Sequence, residues 1–457
     1  MNTNQSDQPS DREPLQGALF EVPAGDAAPI PKEQPGGVPR LKRANRRQIV
    51  CLPHALDDLL PEDHEARIIW AYIEGLDLTP LHDSILAIEG RAGRSATDRK
   101  IFMALWLYAT LKGVGSARQL AELCSHHVAY RWICGGVSVN HHTLSDFRTA
   151  HGGFLDRLLT QGVAGLMHEG LVELERVAQD GMRVRASAGA ASFRRRETLE
   201  KCLAEAGEQV QRLRAELESN PTAGNQRQKA ARQRAARERL ERVQKALEHL
   251  PEIEARKKPK DREKTRVSTT DAEATVMKMA DGGYRPAYNV ELATDTATQI
   301  ITGVDVVTTG GDQGQLEPMV EQHQERYEQV PEAMLVDGGF VKKEAIEHVS
   351  PPEGGTVVYA PVMKPKDPQR DPHTPCENDS PAVAEWRVRM GTPEAKEIYK
   401  ERAATAECVN AIARNRNLQQ FRVRGRTKVR VIALWYALVH NVMRAVALRA
   451  AAAEAVG

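Results

Sequence analysis

A chain of 457 residues, 41% of them hydrophobic and 27% charged, has material for two or three domains, each with its own core. Its 63 Lys and Arg against 62 Asp and Glu leave a net charge of +1. That excludes a uniformly basic nucleic-acid binder, so any DNA-binding surface must come from local segregation of charge. The cysteines (Cys51, Cys124, Cys134, Cys202, Cys376, Cys408) contain no C-x-x-C pair, which disfavours a zinc ribbon and fits reduced thiols in the cytoplasm. No run reads as long and apolar enough to span a bilayer, and the polar, acidic amino terminus is unlike a secretion signal.

Residues 1–48 are rich in Pro, Gly, Asp, Gln and Ser, with few large apolar side chains to offset the entropy of ordering, so a disordered tail is expected. It ends in a basic arm, Arg40, Lys42, Arg43, Arg46 and Arg47, which suits contact with phosphates or a minor groove; a solvated charged linker is the alternative. Residues 49–171 read as a helical domain. His64 opens one amphipathic helix, and residues 98–112 form a second with an almost wholly apolar interior (Ile101, Phe102, Ala104, Leu105, Leu107, Tyr108, Leu111). Short polar helices at 116–123 and 142–148 suggest a helix-turn-helix type of array, with Arg118, His142 and Arg148 free to face DNA. The paired histidines His126-His127 and His141-His142 point to different faces of any helix, which favours structural or backbone-contact roles over metal ligation.

Residues 172–190 and 261–450 read as a second, mixed α and β domain. Leu174 to Asp180 alternates like a strand, with an extended pattern resuming at Met182. Residues 287–295 and 299–307 form a hairpin. A helix (315–327), a strand ending at Asp337-Gly338-Gly339, a short helix (342–348) and a strand (356–360) follow, then a long loop and a helix through Glu407. The order β-β-β-α-β-α-β-α leaves one edge of the first strand free for a right-handed crossover to bring the fourth strand beside it. Asp180 and Asp337 then become neighbours, and a helix across the sheet end can project Glu407 toward them. Such carboxylates repel unless hard cations lie between them, and Mg²⁺ or Mn²⁺, two ions a few ångströms apart, is the expected occupant.

Between the two parts of this domain, residues 191–260 carry Leu199, Leu203, Ala206, Val210, Leu213 and Leu217, then a break at 220–225. Ala236, Leu240, Val243, Leu247 and Leu250 follow at the same spacing, the pattern of an inserted antiparallel helical hairpin. Beyond Glu407 the basic residues Arg414, Arg416, Arg422, Arg424, Arg426, Lys428 and Arg430 gather around Gly425, a disposition suited to phosphate contact beside an acidic site. Residues 431–448 form an apolar helix expected to pack on the sheet.

Asp180 to Ala186, Pro286-Ala287-Tyr288-Asn289-Val290, Val336-Asp337-Gly338-Gly339-Phe340 and the stretch from Tyr399 to Arg414 resemble the motifs of the DDE transposases of bacterial insertion sequences. The last stretch is similar to the Y-x2-R-x3-E-x6-K signature, with Tyr399, Arg402, Glu407 and Arg414 in its positions. The gap from Arg402 to Glu407 is one residue longer, and Arg414 stands for the lysine. The resemblance runs from about Leu52 to Arg444. It implies an α+β chain with an RNase H-like catalytic domain on a mixed five-stranded sheet. It implies Asp180, Asp337 and Glu407 as catalytic metal ligands, and DNA cleavage and strand transfer at terminal inverted repeats and target DNA by a homodimer or higher oligomer. A non-catalytic DNA-binding regulator, a hydrolytic nuclease of the same fold and an inactive derivative are the competing readings.

Overall fold

The polar residues that punctuate the amino-terminal third cap its helices. In the computed structural model, which describes residues 55–456 apart from 84, 86, 88–94, 220–225, 352–353, 366 and 368, α1 (Glu65–Glu74) begins behind His64, whose Nδ1 accepts from the Ala66 amide at 3.1 Å. A short α2 (Thr79–His82) follows, and Asp98 caps α3 (Arg99–Leu111) at the Lys100 amide. Ser116, His127 and Asn140 cap α4 (Ala117–His126), α5 (Val128–Cys134) and α6 (His141–Ala150). Each cap satisfies one amide that has no partner within its helix. The helix α3 is buried along its whole length from Ile101 to Thr110, and α7 (Gly152–His168) leads to the sheet. The basic arm at Arg40 to Arg47 and the break at 220–225 lie outside the described residues.

The sheet strands are β1 (Arg176–Arg185), β4 (Thr275–Lys278), β5 (Tyr284–Asp295), β6 (Ile301–Val307), β7 (Ala333–Leu335) and β8 (Val357–Tyr359). Their order is β4-β5-β1-β7-β8, with β6 sharing the outer edge of β5 with β4. A separate small pair, β2 (Phe193–Arg194) with β3 (Val267–Ser268), closes the base of the insertion. The first strand pairs antiparallel with β5, Asp180 opposite Leu292, and parallel with β7, Ala178 opposite Leu335. The chain is therefore α+β, with the first and fourth of the five expected strands adjacent. Two details differ from the sequence expectation: β1 continues unbroken through Gly181, and β4, too short and polar to announce itself, adds to the sheet.

Within the insertion, α8 (Arg196–Ser219) and α9 (Gln226–Ala255) contact one another in opposite senses. Arg196 pairs with Glu254 at 2.8 Å, and Arg239 lies 3.5 Å from Glu205. Leu199, Ala206, Ala236, Val243 and Leu250 are buried between and below them. Around the sheet stand α10 (Leu316–Tyr327), α11 (Lys343–Val349), α12 (Pro381–Gly391), α13 (Pro393–Asn415) and α14 (Arg426–Val456).

The last helix fixes the architecture. Val429 to Val439 of α14 join the core shared by the amino-terminal helices and one sheet face, while Ala445 reaches the core on the other face. Trp435 Nε1 donates to the Arg148 carbonyl at 3.0 Å, and Asn441 exchanges two hydrogen bonds with the Ile301 backbone on β6. The described residues thus lie in one compact unit, His54–Gly457. Contrary to the expectation of no membrane-length apolar run, Arg426–Ala455 of this helix is long and apolar enough by composition. However, 61% of its most apolar window is buried inside the protein, as a central core helix requires.

Candidate active site

Asp180 sits in the middle of β1, and Asp337 two residues past the end of β7. Because β1 and β7 are parallel with Ala178 opposite Leu335, continuing the register puts Asp337 beside Asp180 on one face of the sheet. The helix α13 crosses that face. It starts at Pro393 with Thr392 capping the Ala395 amide, and it meets Asp180 through two side chains. Arg402 Nη2 lies 2.8 Å from Asp180 Oδ1 and 3.8 Å from Asp337 Oδ2, and Asn410 Nδ2 donates to Asp180 Oδ2 at 2.8 Å. Burial raises the Asp180 carboxyl above its usual range; Arg402 opposes the rise, and the charges of Asp337 and Asp312 add to it. Tyr399, one turn before Arg402, packs half-buried beside the same acids, and burial raises its hydroxyl pKa.

Two further acids approach from the opposite face of the sheet, where Gly181 provides room. A Cβ on Gly181 would lie 2.5 Å from Asp312 Oδ1, 2.7 Å from Asn289 Nδ2 and 2.8 Å from Glu291 Oε1. A Cβ on Gly339 would lie 3.5 Å from Asp312 Oδ2. Asp312 therefore reaches between the backbones that carry Asp180 and Asp337. Asn289 Nδ2 donates to Asp312 and to Glu291, 2.7 Å each, and Gln179 Nε2 donates to Glu291 at 3.2 Å. Burial first, then the charge of Asp312, pushes Glu291 up to about 8, and burial likewise raises Asp312. Sequence reading missed both. Asp312 looks like a loop residue after two glycines, and Glu291 like the outward member of an alternating strand. Only their convergence on a side-chain-free position reveals them.

Glu407 is exposed on α13 and makes no hydrogen bond or ion pair among the described residues. It stands three residues before Asn410, about 60° round the helix, on the flank of the stripe that meets Asp180. Arg414 is exposed on the same helix. Of the basic loop, Arg424 Nε donates to the Ser187 carbonyl at 3.3 Å. Arg426, half exposed, is partly engaged within the fold: its Nε donates to the Val306 carbonyl at 2.7 Å and its Nη2 lies 3.5 Å from Asp305. Arg148 is also less free than expected, because its Nη1 donates to the Gly115 carbonyl at 2.6 Å and its guanidinium rests 4.7 Å from the Trp106 ring centre. Arg118 and His142 are exposed.

The donor set can be tested for a cation. Asp180, Asp337, Asp312 and Glu291 interact as like charges, and Arg402 bridges only the first two. The buried oxygens Gln179 Oε1 and Asn289 Oδ1 beside them have no partner. An all-oxygen set with excess negative charge fits a hard divalent ion. A separate group, Glu317, Glu321 and His348, has ligand atoms within 4.8 Å of one another on α10 and α11; it lies toward solvent, away from Asp180, with His348 Nε2 3.1 Å from Glu317.

Residues 54–150 match a family model described as a transposase domain, and residues 366–446 match one described as a transposase DDE domain. These matches support an insertion-sequence DDE transposase family for the chain. The first covers the helical third; the second covers α12, α13, the basic loop and most of α14, with Tyr399, Arg402 and Glu407 inside it. Asp180 on β1 and Asp337 just after β7 lie between the two matched stretches. No curated protein and no solved structure matches it.

Proposed function

We propose that the chain is a transposase that cleaves the ends of its own DNA element and joins the freed ends to target DNA, on an RNase H-like sheet. The observation that carries this reading is the meeting of Asp180 and Asp337 under Arg402, with Asp312 entering from below through the space left by Gly181 and Gly339. Asp180, Asp337 and Asp312 would hold divalent metal, Mg²⁺ or Mn²⁺, with Glu407 at the rim as the further carboxylate. When bound, the metal supplies Lewis acidity to attacking and leaving oxygens in an in-line phosphodiester displacement.

The protein's own part is positional and electrostatic. Asn410 and Arg402 hold both oxygens of Asp180, fixing the carboxylate against the sheet while its neighbours repel it. Arg402 also lowers the negative field that a phosphodiester must approach. Tyr399 packs against the apolar core beside the acids. Exposed Arg414, Arg422 and Arg424 suit phosphate contact, and a duplex with two reacting ends calls for a dimer or higher assembly on DNA.

The test uses purified full-length protein with DNA carrying the ends of the element that encodes it. Cleavage and strand-transfer products requiring Mg²⁺ or Mn²⁺ are expected, and both should vanish in Asp180→Asn and Asp337→Asn while DNA binding persists. Sequence-specific binding with no cleavage under any divalent ion would instead establish a regulator. Cleavage without joined products would establish a nuclease.

A further inference from the structure

A cleft of about 660 Å³ opens where the amino-terminal helices meet the loop ahead of α14. Arg118, His142 and Arg148 line it from α4 and α6, Arg185 from the end of β1, and Arg422 from the loop; among the described residues the lining contains no Asp or Glu. The side chains of Arg118, Arg185 and Arg422 are exposed and make no hydrogen bond or ion pair among the described residues. Arg148 has a carbonyl partner and an aromatic bed but no carboxylate. It shares its footing with Arg422, since a Cβ on Gly115 would lie 3.5 Å from Arg422 Nε and 3.9 Å from Arg148 Nη2. Burial pulls the Arg148 pKa down to about 10, and the charge of Arg422 works in the same direction.

Four guanidiniums gathered without a counter-charge, one of them largely withdrawn from water, repel each other and destabilise the free protein. An anion reverses that balance. Arginine favours carboxylate and phosphate partners through its planar fork, and several arginines spread along one cleft match a chain of phosphates better than a single small ion. The cleft also has a fixed relation to the acids. The Arg185 backbone is five residues beyond that of Asp180 on one continuous strand, or roughly 17 Å at ~3.3 Å per residue, with the two side chains leaving the strand on opposite sides. With a rise of 3.4 Å per base pair, that is about five base pairs of duplex.

We infer that this cleft grips the phosphate backbone of the DNA about five base pairs from the bond held at the carboxylates. The inference rests on the transposase reading and deepens it. The helical segment and the loop before α14, which the sequence divides between base reading and phosphate contact, act together as one clamp on the backbone. The cleft then sets the distance between the gripped phosphates and the cut, with β1 as the spacer.

The experiment uses the full chain and duplexes of about 30 base pairs from the ends of the element. The triple variant R118Q/R185Q/R422Q should lower the slope of log affinity against log salt by about 2 to 3, since each lost phosphate contact removes roughly 0.9. Neutral methylphosphonates four to six base pairs from the cut should weaken the native protein about fivefold or more, and the triple variant by less than about twofold. The variant should melt no lower than the native protein, because the removed charges repel one another. An unchanged salt slope, or methylphosphonate effects confined to other positions, overturns the clamp while leaving transposition intact. A variant that binds DNA normally but loses self-association overturns it in favour of a protein interface. Native protein that neither binds nor cuts such DNA with either metal removes the transposase reading and the clamp together.

Discussion

Arg402 approaches Asp180 to 2.8 Å from the face opposite the one through which Asp312 arrives, and it spans to Asp337 at 3.8 Å. Its side chain is 14% exposed, so its charge is poorly screened. Removing it leaves two half-buried carboxylates facing each other without their shared counter-charge. Arg402→Met should therefore melt lower than the native protein in a chelator, and Asp180 should become harder to ionise. Millimolar Mg²⁺ supplies the missing charge, so the variant should gain more melting temperature from Mg²⁺ than the native protein does. Equal gains, read by scanning fluorimetry, would show that Arg402 and the metal do not serve the same carboxylates.

Asp312 and Glu407 make opposite predictions in the free protein. Asp312 already interacts with Asp180 and Asp337, so Asp312→Asn should weaken Mn²⁺ binding at least about tenfold, the scale on which loss of a ligand acts. Glu407 touches none of them, so Glu407→Gln should leave Mn²⁺ affinity nearly unchanged while abolishing cleavage, where DNA is present and every ligand is needed. Calorimetric titration with Mn²⁺ and a cleavage assay separate the two. Full cleavage by Glu407→Gln would take Glu407 out of the chemistry and leave Asp312 as the third acid.

What the sequence discloses here follows from what is local. Asp180 and Asp337 are legible because each ends or interrupts an apolar strand and the strand order dictates their pairing. The helices expected from 98 and from 116 are legible for the same reason, since each opens an apolar period. Asp312 and Glu291 are not, because their proximity depends on the absent side chain of Gly181, seen only when β1 lies against β5. The basic residues show the same limit. Arg422 and Arg426 look alike in a charge run, yet among the described residues the side chain of one makes no hydrogen bond or ion pair and the other is tied to Val306 and Asp305.

Gly181 offers a direct test of the approach from below. Adding one methyl group there forces Asp312, Asn289 and Glu291 to retreat from contacts of 2.5 to 2.8 Å, and overpacking of this kind costs about 1–3 kcal/mol. Gly181→Ala should be destabilised by that amount in urea unfolding and should bind Mn²⁺ more weakly. Truncating Asp312 removes the nearest clash, so the double variant Gly181→Ala/Asp312→Ala should cost less than the sum of the single changes. Strict additivity would mean that Asp312 does not occupy the space beside Gly181.

His323 and His440 set the acid limit of the fold, away from the carboxylates. His323 is fully buried, its Nδ1 donating to the Met319 carbonyl at 2.7 Å and its Nε2 accepting from the Thr302 hydroxyl at 2.8 Å. His440 Nε2 donates to the Gln299 carbonyl at 2.8 Å. Burial lowers each imidazole from 6.5 to about 4. Between those values the unfolded chain binds protons that the native protein refuses, so unfolding free energy falls as pH falls. The stabilisation is complete above 6.5 and is lost progressively toward 4. Each histidine contributes up to about 1.4 kcal/mol per pH unit in that window. Glu291, raised to about 8, keeps a proton that the unfolded chain releases over the same window and so works in the opposite sense. The test is therefore differential: the pH dependence of urea midpoints measured in a chelator from pH 7 to 4.5 should differ between His323→Asn and the native protein by close to one proton, the histidine's share of the loss at low pH being absent in the variant. A slope unaffected by that substitution would mean that His323 titrates normally in the folded protein, which its two short hydrogen bonds and complete burial argue against.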